Sequence, residues 1–66
     1  PQGGPISPRR YEILALASKG HSDKVISDQL RISENTVRNH WKYIFTQLGV
    51  GSRTEAVGKA IRQGMI

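Results

Sequence analysis

The sequence predicts an all-α domain of four helices, and three features of the chain support this fold class. Four segments carry apolar residues at helical spacing, and each is preceded by a serine that can act as an N-cap. No segment shows the alternation of apolar and polar residues that is typical of a strand. The 66-residue chain also lacks cysteine, so its stability must come from helix packing and not from disulfides or a cysteine-based zinc site.

The N-terminal end of the chain is predicted to lie outside the domain. Its first five residues include two prolines and two glycines, a composition that excludes a regular element. Residues 1–6 are therefore interpreted as a linker or a cloning remnant, and residues 7–66 as one domain with a small core.

The first helix is predicted over about residues 8–19. Ser7 is its N-cap, and Pro8 stands at the first helical position, where the missing N–H costs nothing. Arg9 and Arg10 follow in the first turn, where positive charge opposes the helix dipole. Their position suggests a phosphate contact, although solvated arginines are the simpler explanation.

The second helix is predicted over about residues 23–30, with Ser22 as its N-cap. Its inward-pointing residues are expected to be Val25, Ile26 and Leu30. Only Arg31 and Ile32 separate this helix from the next N-cap at Ser33, which leaves room for a sharp turn and nothing longer. This spacing is typical of a helix-turn-helix pair.

The third helix, predicted over about residues 34–48, separates its side chains onto two faces. One face is apolar and comprises Val37, Trp41, Ile44 and Leu48, with His40 and Phe45 on its shoulders. The opposite face is polar and comprises Asn35, Arg38, Asn39, Lys42 and Thr46. Arginine pairs with guanine, asparagine pairs with adenine, and lysine binds a base or a phosphate, so the polar face suits a DNA major groove. An ordinary solvated helix face is the alternative.

The fourth helix is predicted over about residues 53–63 and begins with a capping box formed by Ser52 and Glu55. Its apolar residues are Ala56, Val57, Ala60 and Ile61. Lys59 and Arg62 are expected to face water. The apolar stripe is too narrow to complete the core and also bury a large dimer interface, so we expect a monomer or a loose dimer away from DNA.

Charge and composition limit the classes of function. Ten Lys plus Arg against five Asp plus Glu give a net charge of +5 and a pI of about 10.3, which favours a polyanion as partner. No apolar run approaches the roughly 20 residues of a membrane span and no signal peptide is visible, so an intracellular domain is expected. His21 and His40 have no nucleophile or carboxylate pair at motif spacing, so we predict no enzymatic site, metal or cofactor.

Two other functions fit the same features. A small helical interaction module would use the basic face to hold an acidic protein partner. A sigma-factor-like region would read a promoter element with the same motif. The interaction module can be distinguished from a DNA-binding domain by experiment. The affinity for duplex DNA falls steeply with salt and depends on base sequence, whereas binding of a peptide partner shows no base preference.

Two motifs in the chain carry a family resemblance. Ile-Ser-Glu-Asn-Thr-Val-Arg-Asn-His spans residues 32–40, and Ser-Arg-Thr-Glu-Ala-Val spans residues 52–57. In this order and at this distance, within a match that runs from Ile6 onward, they resemble the LuxR/FixJ/NarL-type (GerE-like) helix-turn-helix domain. The second motif argues against the sigma-factor alternative.

The resemblance implies a trihelical helix-turn-helix fold with an added C-terminal helix for dimerisation. It also implies a bacterial transcriptional regulator, of which response regulators are one type, in the cytoplasm with the nucleoid. The implied partners are double-stranded DNA, a second copy of the chain bound through the C-terminal helix, and RNA polymerase, with no membrane.

Together with the helical wheel, the resemblance predicts three groups of site residues. Base contacts are assigned to Asn35, Arg38, Asn39, Lys42 and Thr46. Phosphate contacts are assigned to Lys24, Ser33, Thr36 and His40. Contacts with a second copy are assigned to Val57, Gly58, Ala60 and Ile61. The family usually carries glutamate where this chain has Arg10 and Val25, so the first two helices lose a capping-box partner and should begin more weakly.

Overall fold

The computed structural model describes residues 6–66 and has the predicted all-α architecture. Its helices are α1 (Pro8–Ser18), α2 (Asp23–Leu30), α3 (Glu34–Leu48) and α4 (Arg53–Arg62). Each begins at the predicted residue and ends there or one residue earlier. Between residues 6 and 66 there is no strand, and no helix in this range is both long and apolar enough to cross a membrane.

All four helices begin with a serine whose side-chain oxygen accepts a backbone N–H three residues later. The acceptors are Ser7, Ser22, Ser33 and Ser52, with distances of 3.0 to 3.4 Å. In α1 and α2 the donors are Arg10 and Val25, which offer no carboxylate in return, as predicted. In α4 the Glu55 carboxylate accepts from the Gly51 N–H at 2.9 Å. The predicted capping box is therefore only half formed. The Ser52 oxygen accepts the Glu55 N–H, but the Glu55 carboxylate binds the N–H of Gly51 and not that of Ser52.

The turn between α2 and α3 depends on one residue in a left-handed conformation. Arg31 ends α2 at φ 59° and ψ 45°, and its N–H donates to the Ser27 carbonyl. The next N–H, from Ile32, donates to the same carbonyl at 3.0 Å. Two donors thus close the end of α2, and α3 begins directly after this reversal. The predicted helix-turn-helix connection is present.

The core lies between the four helices, and α3 is in contact with each of the other three. Its buried apolar residues are Ile6, Ile13, Leu14, Ile26, Val37, Trp41, Ile44, Leu48, Ala56 and Ala60. Two predictions need correction. Val25 is exposed, because it lies about 100° around α2 from the buried Ile26. Residues 1–5 of the predicted linker lie outside the described residues, but Ile6 belongs to the core and therefore to the domain.

Helix α4 closes the fold with small residues and one long lysine. Ala56 and Ala60 are fully buried, which lets α4 pack close to the rest of the molecule. Lys59, predicted to face water, instead donates from Nζ to the Leu48 carbonyl at 2.6 Å. Its positive charge lies at the C-terminal end of α3, where the helix dipole favours a cation. The other three helices thus pack against α3 and leave one of its faces open.

Candidate nucleic-acid interface

The open face of α3 contains all five residues predicted to contact bases. Asn35, Arg38, Asn39, Lys42 and Thr46 are all exposed. The opposite side of the helix is buried through Val37, Trp41, Ile44 and Leu48. The wheel drawn from the sequence therefore describes both faces of the folded helix, and a rigid apolar side supports an exposed polar one.

Tyr43 extends this face and was missed by the sequence reasoning. Its side chain is 58% exposed, and it lines a shallow surface depression together with Asn39, Lys42 and Thr46. The signal was available, because a wheel places Tyr43 about 80° from the centre of the polar stripe and away from the apolar face. Thr46 donates its hydroxyl proton to the Lys42 carbonyl at 3.0 Å, which orients that side chain on the helix surface.

A second depression borders Arg38 and contains a set of contacts that joins three helices. Trp41 of α3 donates from Nε1 to the Asp23 carboxylate of α2 at 3.0 Å. Arg53 of α4 donates to the same carboxylate, and its guanidinium lies 4.8 Å from the centroid of the Trp41 ring. We call Asp23, Trp41 and Arg53 the three-helix latch. Arg38 and Lys42 lie on its rim, so the latch supports the part of α3 that carries their charges.

The predicted phosphate contacts lie at helix starts and on the side of α3. Lys24 is exposed in the first turn of α2. Ser33 and Thr36, at the start of α3, share a hydrogen bond of 2.9 Å between their hydroxyl oxygens. The Ser33 oxygen also accepts the Thr36 N–H at 3.0 Å. These hydroxyls therefore serve the helix cap, and only their remaining capacity is available to a ligand.

His40 is half-buried and faces α1. Arg10 donates from Nε to the His40 Nδ1 at 3.4 Å, which makes Nδ1 the acceptor and leaves the proton on Nε2. Burial lowers the pKa of His40 below 6.5, and the positive charges of Arg10 and Arg9 lower it further. The Nε2–H is therefore the donor that His40 offers to a phosphate, and in the free chain its surroundings favour the neutral form of the imidazole.

The charges of α3 have no acidic partner within the described part of the chain. The ion pairs among residues 6–66 are Arg9 with Glu12 at 3.5 Å and Arg53 with Asp23. Arg38 and Lys42 take part in neither. Their positive charge is therefore open to an anionic ligand on the exposed face of α3.

Of the four residues predicted to contact a second copy, three lie on the accessible side of α4 and one lies in the core. Ala60 is fully buried in the monomer, so its assignment to a dimer contact is wrong. Val57 and Gly58 are half-buried, and Ile61 is 54% exposed. The Arg62 side chain lies over Gly58, where a Cβ would meet the guanidinium at 3.3 Å. Ile61 is therefore the main apolar group that α4 offers to a partner.

A helix-turn-helix pair whose second helix presents an exposed, basic and polar face defines a DNA-binding domain. Comparison with known proteins gives the family. Residues 4–60 match GerE, described as the luxR family of bacterial regulatory proteins. The chain belongs to this family, whose members bind DNA and regulate transcription.

Solved structures and curated relatives agree with this assignment. The transcription factor GerE has a TM-score of 0.90 and 40% identity, with 96% of this chain and 94% of GerE covered. The response regulator ChrA of a heme-sensing two-component system has a TM-score of 0.91 and 38% identity, with all of this chain but 32% of ChrA covered. The regulatory protein DegU of Brevibacillus brevis and the oxygen regulatory protein NreC of Staphylococcus aureus are each 38% identical over 61 residues. That match covers 92% of this chain, but only 26% of DegU and 28% of NreC.

Proposed function

We propose that this chain binds double-stranded DNA in a sequence-specific manner, with α3 in the major groove. The observation that carries the proposal is the exposed face of α3, which lies opposite the buried apolar side of the helix. Its arginine and lysine have no acidic partner among residues 6–66. A major groove about 12 Å wide admits one α-helix, and these side chains can pair with its base edges. The three-helix latch supports the helix beside Arg38.

The proposal gives the polar residues two different roles. Base edges are read by Arg38, Asn39 and Lys42, with Asn35 and Thr46 beside them. Backbone phosphates are met by Lys24, Ser33, Thr36 and His40. The exposure of the first group supports its role, and the position of the second group at helix starts or on the flank of α3 supports contact with the backbone, which positions a protein without specifying sequence.

The test compares one residue from each group on a duplex selected from random sequence. Arg38→Ala should weaken binding by about 1–3 kcal/mol and relax the preference at one base position, because a bidentate pair with guanine is removed. Lys24→Ala should weaken all duplexes alike and make the salt dependence shallower by about one unit, because one phosphate contact is removed. Affinities measured by fluorescence anisotropy across salt concentrations provide both values.

Lys19→Ala is the matched control, since it removes one positive charge from an exposed side chain at the end of α1, outside α3. It should leave base preference unchanged. An Arg38→Ala variant with native affinity and native base preference would show that α3 does not face the groove as proposed. Binding that is equal for all duplexes and for an acidic peptide would favour the protein-interaction alternative.

We also propose that two copies bind together on DNA and meet through α4, chiefly at Ile61. The support is the exposed apolar side chain of Ile61 beside the half-buried Val57 and Gly58. As part of a bacterial transcription regulator, the bound pair would act in the cytoplasm at a promoter, where RNA polymerase is the further partner. This assembly follows the two-fold symmetry that is common among helix-turn-helix dimers.

A further inference from the structure

Arg10 of α1 contacts Tyr43 of α3. Neither residue belongs to the groups assigned to base or phosphate contacts. The Arg10 guanidinium carbon lies 4.5 Å from the centroid of the Tyr43 ring. The same side chain donates from Nε to the His40 Nδ1 at 3.4 Å. The guanidinium therefore lies over an aromatic ring and donates to an imidazole through Nε, while its two terminal amino groups make no hydrogen bond to a side chain among residues 6–66.

The charge of Arg10 has no acidic partner among residues 6–66, whereas its neighbour Arg9 is paired with Glu12. Arg10 also lies in the first turn of α1, which contains no acidic residue. Positive charge at that end of a helix opposes the dipole, so the arrangement leaves a local excess of positive potential. An anion bound to Arg10 would offset both the dipole and the unpaired charge.

The position of Tyr43 indicates which anion would lie near Arg10 when α3 lies in a major groove. Tyr43 is on the flank of α3, about 80° from the centre of the base-facing stripe, and is 58% exposed. It lines the same depression as Asn39 and Thr46, so the flank is continuous with the base-facing residues. Side chains on the flanks of a helix in the groove face the sugar-phosphate backbone that forms the groove walls.

We propose that Arg10, oriented by Tyr43 and His40, binds a backbone phosphate of the DNA on this flank of α3. The planar guanidinium fork suits two phosphate oxygens, and an arginine already held by an aromatic ring and an imidazole loses less freedom on binding. Tyr43 is a positioning residue whose ring carries the guanidinium. The inference rests on the proposed DNA binding and adds to it a contact from α1.

The first experiment compares two adjacent arginines in the full chain on the selected duplex. Arg10→Ala should weaken binding to all duplexes alike and make the slope of log affinity against log salt shallower by about one unit, measured from roughly 50 to 200 mM salt. Arg9→Ala is the matched control, because it removes the same charge from the next residue of the same helix, where Glu12 already pairs with it. It should leave the slope unchanged. Circular dichroism of each variant confirms that the helices are intact.

The second experiment locates the phosphate and leaves the protein unchanged in its first arm. Single phosphates of the duplex are replaced in turn by uncharged methylphosphonate, and the affinity of the native chain is measured for each. At one phosphate position, the replacement should weaken DNA binding by the native chain and by the Arg9→Ala variant but leave the affinity of the Arg10→Ala variant unchanged. Tyr43→Phe keeps the ring and should keep this sensitivity, whereas Tyr43→Ala should reduce it.

Two outcomes overturn the inference and leave DNA binding intact. One is an Arg10→Ala slope equal to that of Arg9→Ala, and the other is a methylphosphonate profile that is identical for the native chain and Arg10→Ala. A native chain that binds the duplex without sequence preference or salt dependence would instead overturn the proposed function itself. The two failures are therefore distinguishable.

Discussion

Asp23 is the residue on which three helices converge. Its carboxylate accepts both the Trp41 indole N–H and a guanidinium N–H of Arg53. Trp41 is only 5% exposed in the intact fold, and removal of the carboxylate takes away the hydrogen-bond acceptor of its N–H. A buried donor without a partner costs about 1–3 kcal/mol. This makes Asp23 more important for stability than its partly exposed position suggests.

We expect Asp23→Ala to lower the free energy of unfolding by about 1–3 kcal/mol. Asp28→Ala is the matched control, since Asp28 is an exposed aspartate of the same helix, and it should change the value by less than about 0.5 kcal/mol. Urea unfolding followed by fluorescence measures both, because Trp41 is the single tryptophan of the chain. Equal stabilities of the two variants would show that the latch contributes nothing.

His40 connects stability to pH at the contact between α1 and α3. Burial, Arg10 and Arg9 lower its pKa in the folded state below the 6.5 of an ordinary histidine. Between these two pKa values the unfolded chain binds the proton and the folded chain does not, so stability rises with pH there. The contribution of neutral His40 is fully present above about pH 6.5 and is lost as the pH falls through the folded-state pKa.

The native chain should therefore become less stable when the pH is lowered from about 7.5 to 5.5. His40→Gln cannot gain this proton and should show a smaller loss over the same range. Urea unfolding at both pH values provides the comparison. If the native chain and His40→Gln had the same pH dependence, the pKa of His40 would be the same in the folded and unfolded chain, and its lowering on folding would be wrong.

The turn between α2 and α3 sets the orientation of α3 relative to α2. Arg31 holds it at φ 59°, a conformation that costs an L-residue roughly 1–2 kcal/mol and that glycine adopts freely. Replacing Arg31 with glycine would remove this cost from the folded state. Part of the stability gained would be lost again, because glycine also makes the unfolded chain more flexible. The backbone of Arg31 is therefore strained, while its side chain is exposed.

Arg31→Gly should raise the free energy of unfolding by about 0.5–1 kcal/mol. Gly49→Ala is the opposite change at the end of α3, where φ is 69° and no atom lies within 4 Å of an added Cβ. That variant should lose about 1 kcal/mol through backbone strain alone. Urea unfolding of both variants tests the argument. A destabilised Arg31→Gly protein would mean that the Arg31 side chain contributes more than its backbone conformation costs.

At the scale of the whole molecule, the monomer uses most of the apolar surface of α4 for its own core. Ala56 and Ala60 are fully buried, and Ile61 remains 54% exposed. A contact through one side of a ten-residue helix buries well under the roughly 1,200 Å² of a stable interface. Self-association without DNA should therefore be weak, and in the proposed pair the DNA would supply the remaining affinity.

Sedimentation at micromolar concentration should show a monomer or a loose dimer alone, and two copies on a duplex with two half-sites about one helical turn apart. Ile61→Glu should bind a single half-site normally but weaken binding of the second copy. Gln63→Glu is the control, because it adds the same charge at the exposed end of α4. A tight dimer without DNA, or a strict one-to-one complex on the two-half-site duplex, would contradict the proposed pairing.

The sequence by itself determined the helices and the two faces of α3. The caps are bonds between residues three apart, such as Ser33 with Thr36, and helical periodicity alone separates Arg38 from Val37. Both depend on local geometry, which residue order specifies directly. For the same reason the sharp turn before Ser33 was predictable from spacing, whereas the left-handed conformation of Arg31 was not.

Only the tertiary structure decided which side chains meet across helices. Asp23 and Arg53, like Arg10 and His40, are 30 residues apart in the chain and in contact in the fold. Packing also placed Ala60 inside and Ile61 outside, although both lie on the apolar stripe read from the sequence. Periodicity gives the direction of a side chain around its own helix, but the distance between two helices and their relative rotation come from the combined packing of all four. The three-helix latch and the contacts of Arg10 with Tyr43 and His40 depend on those two quantities, so neither could be derived from residue order.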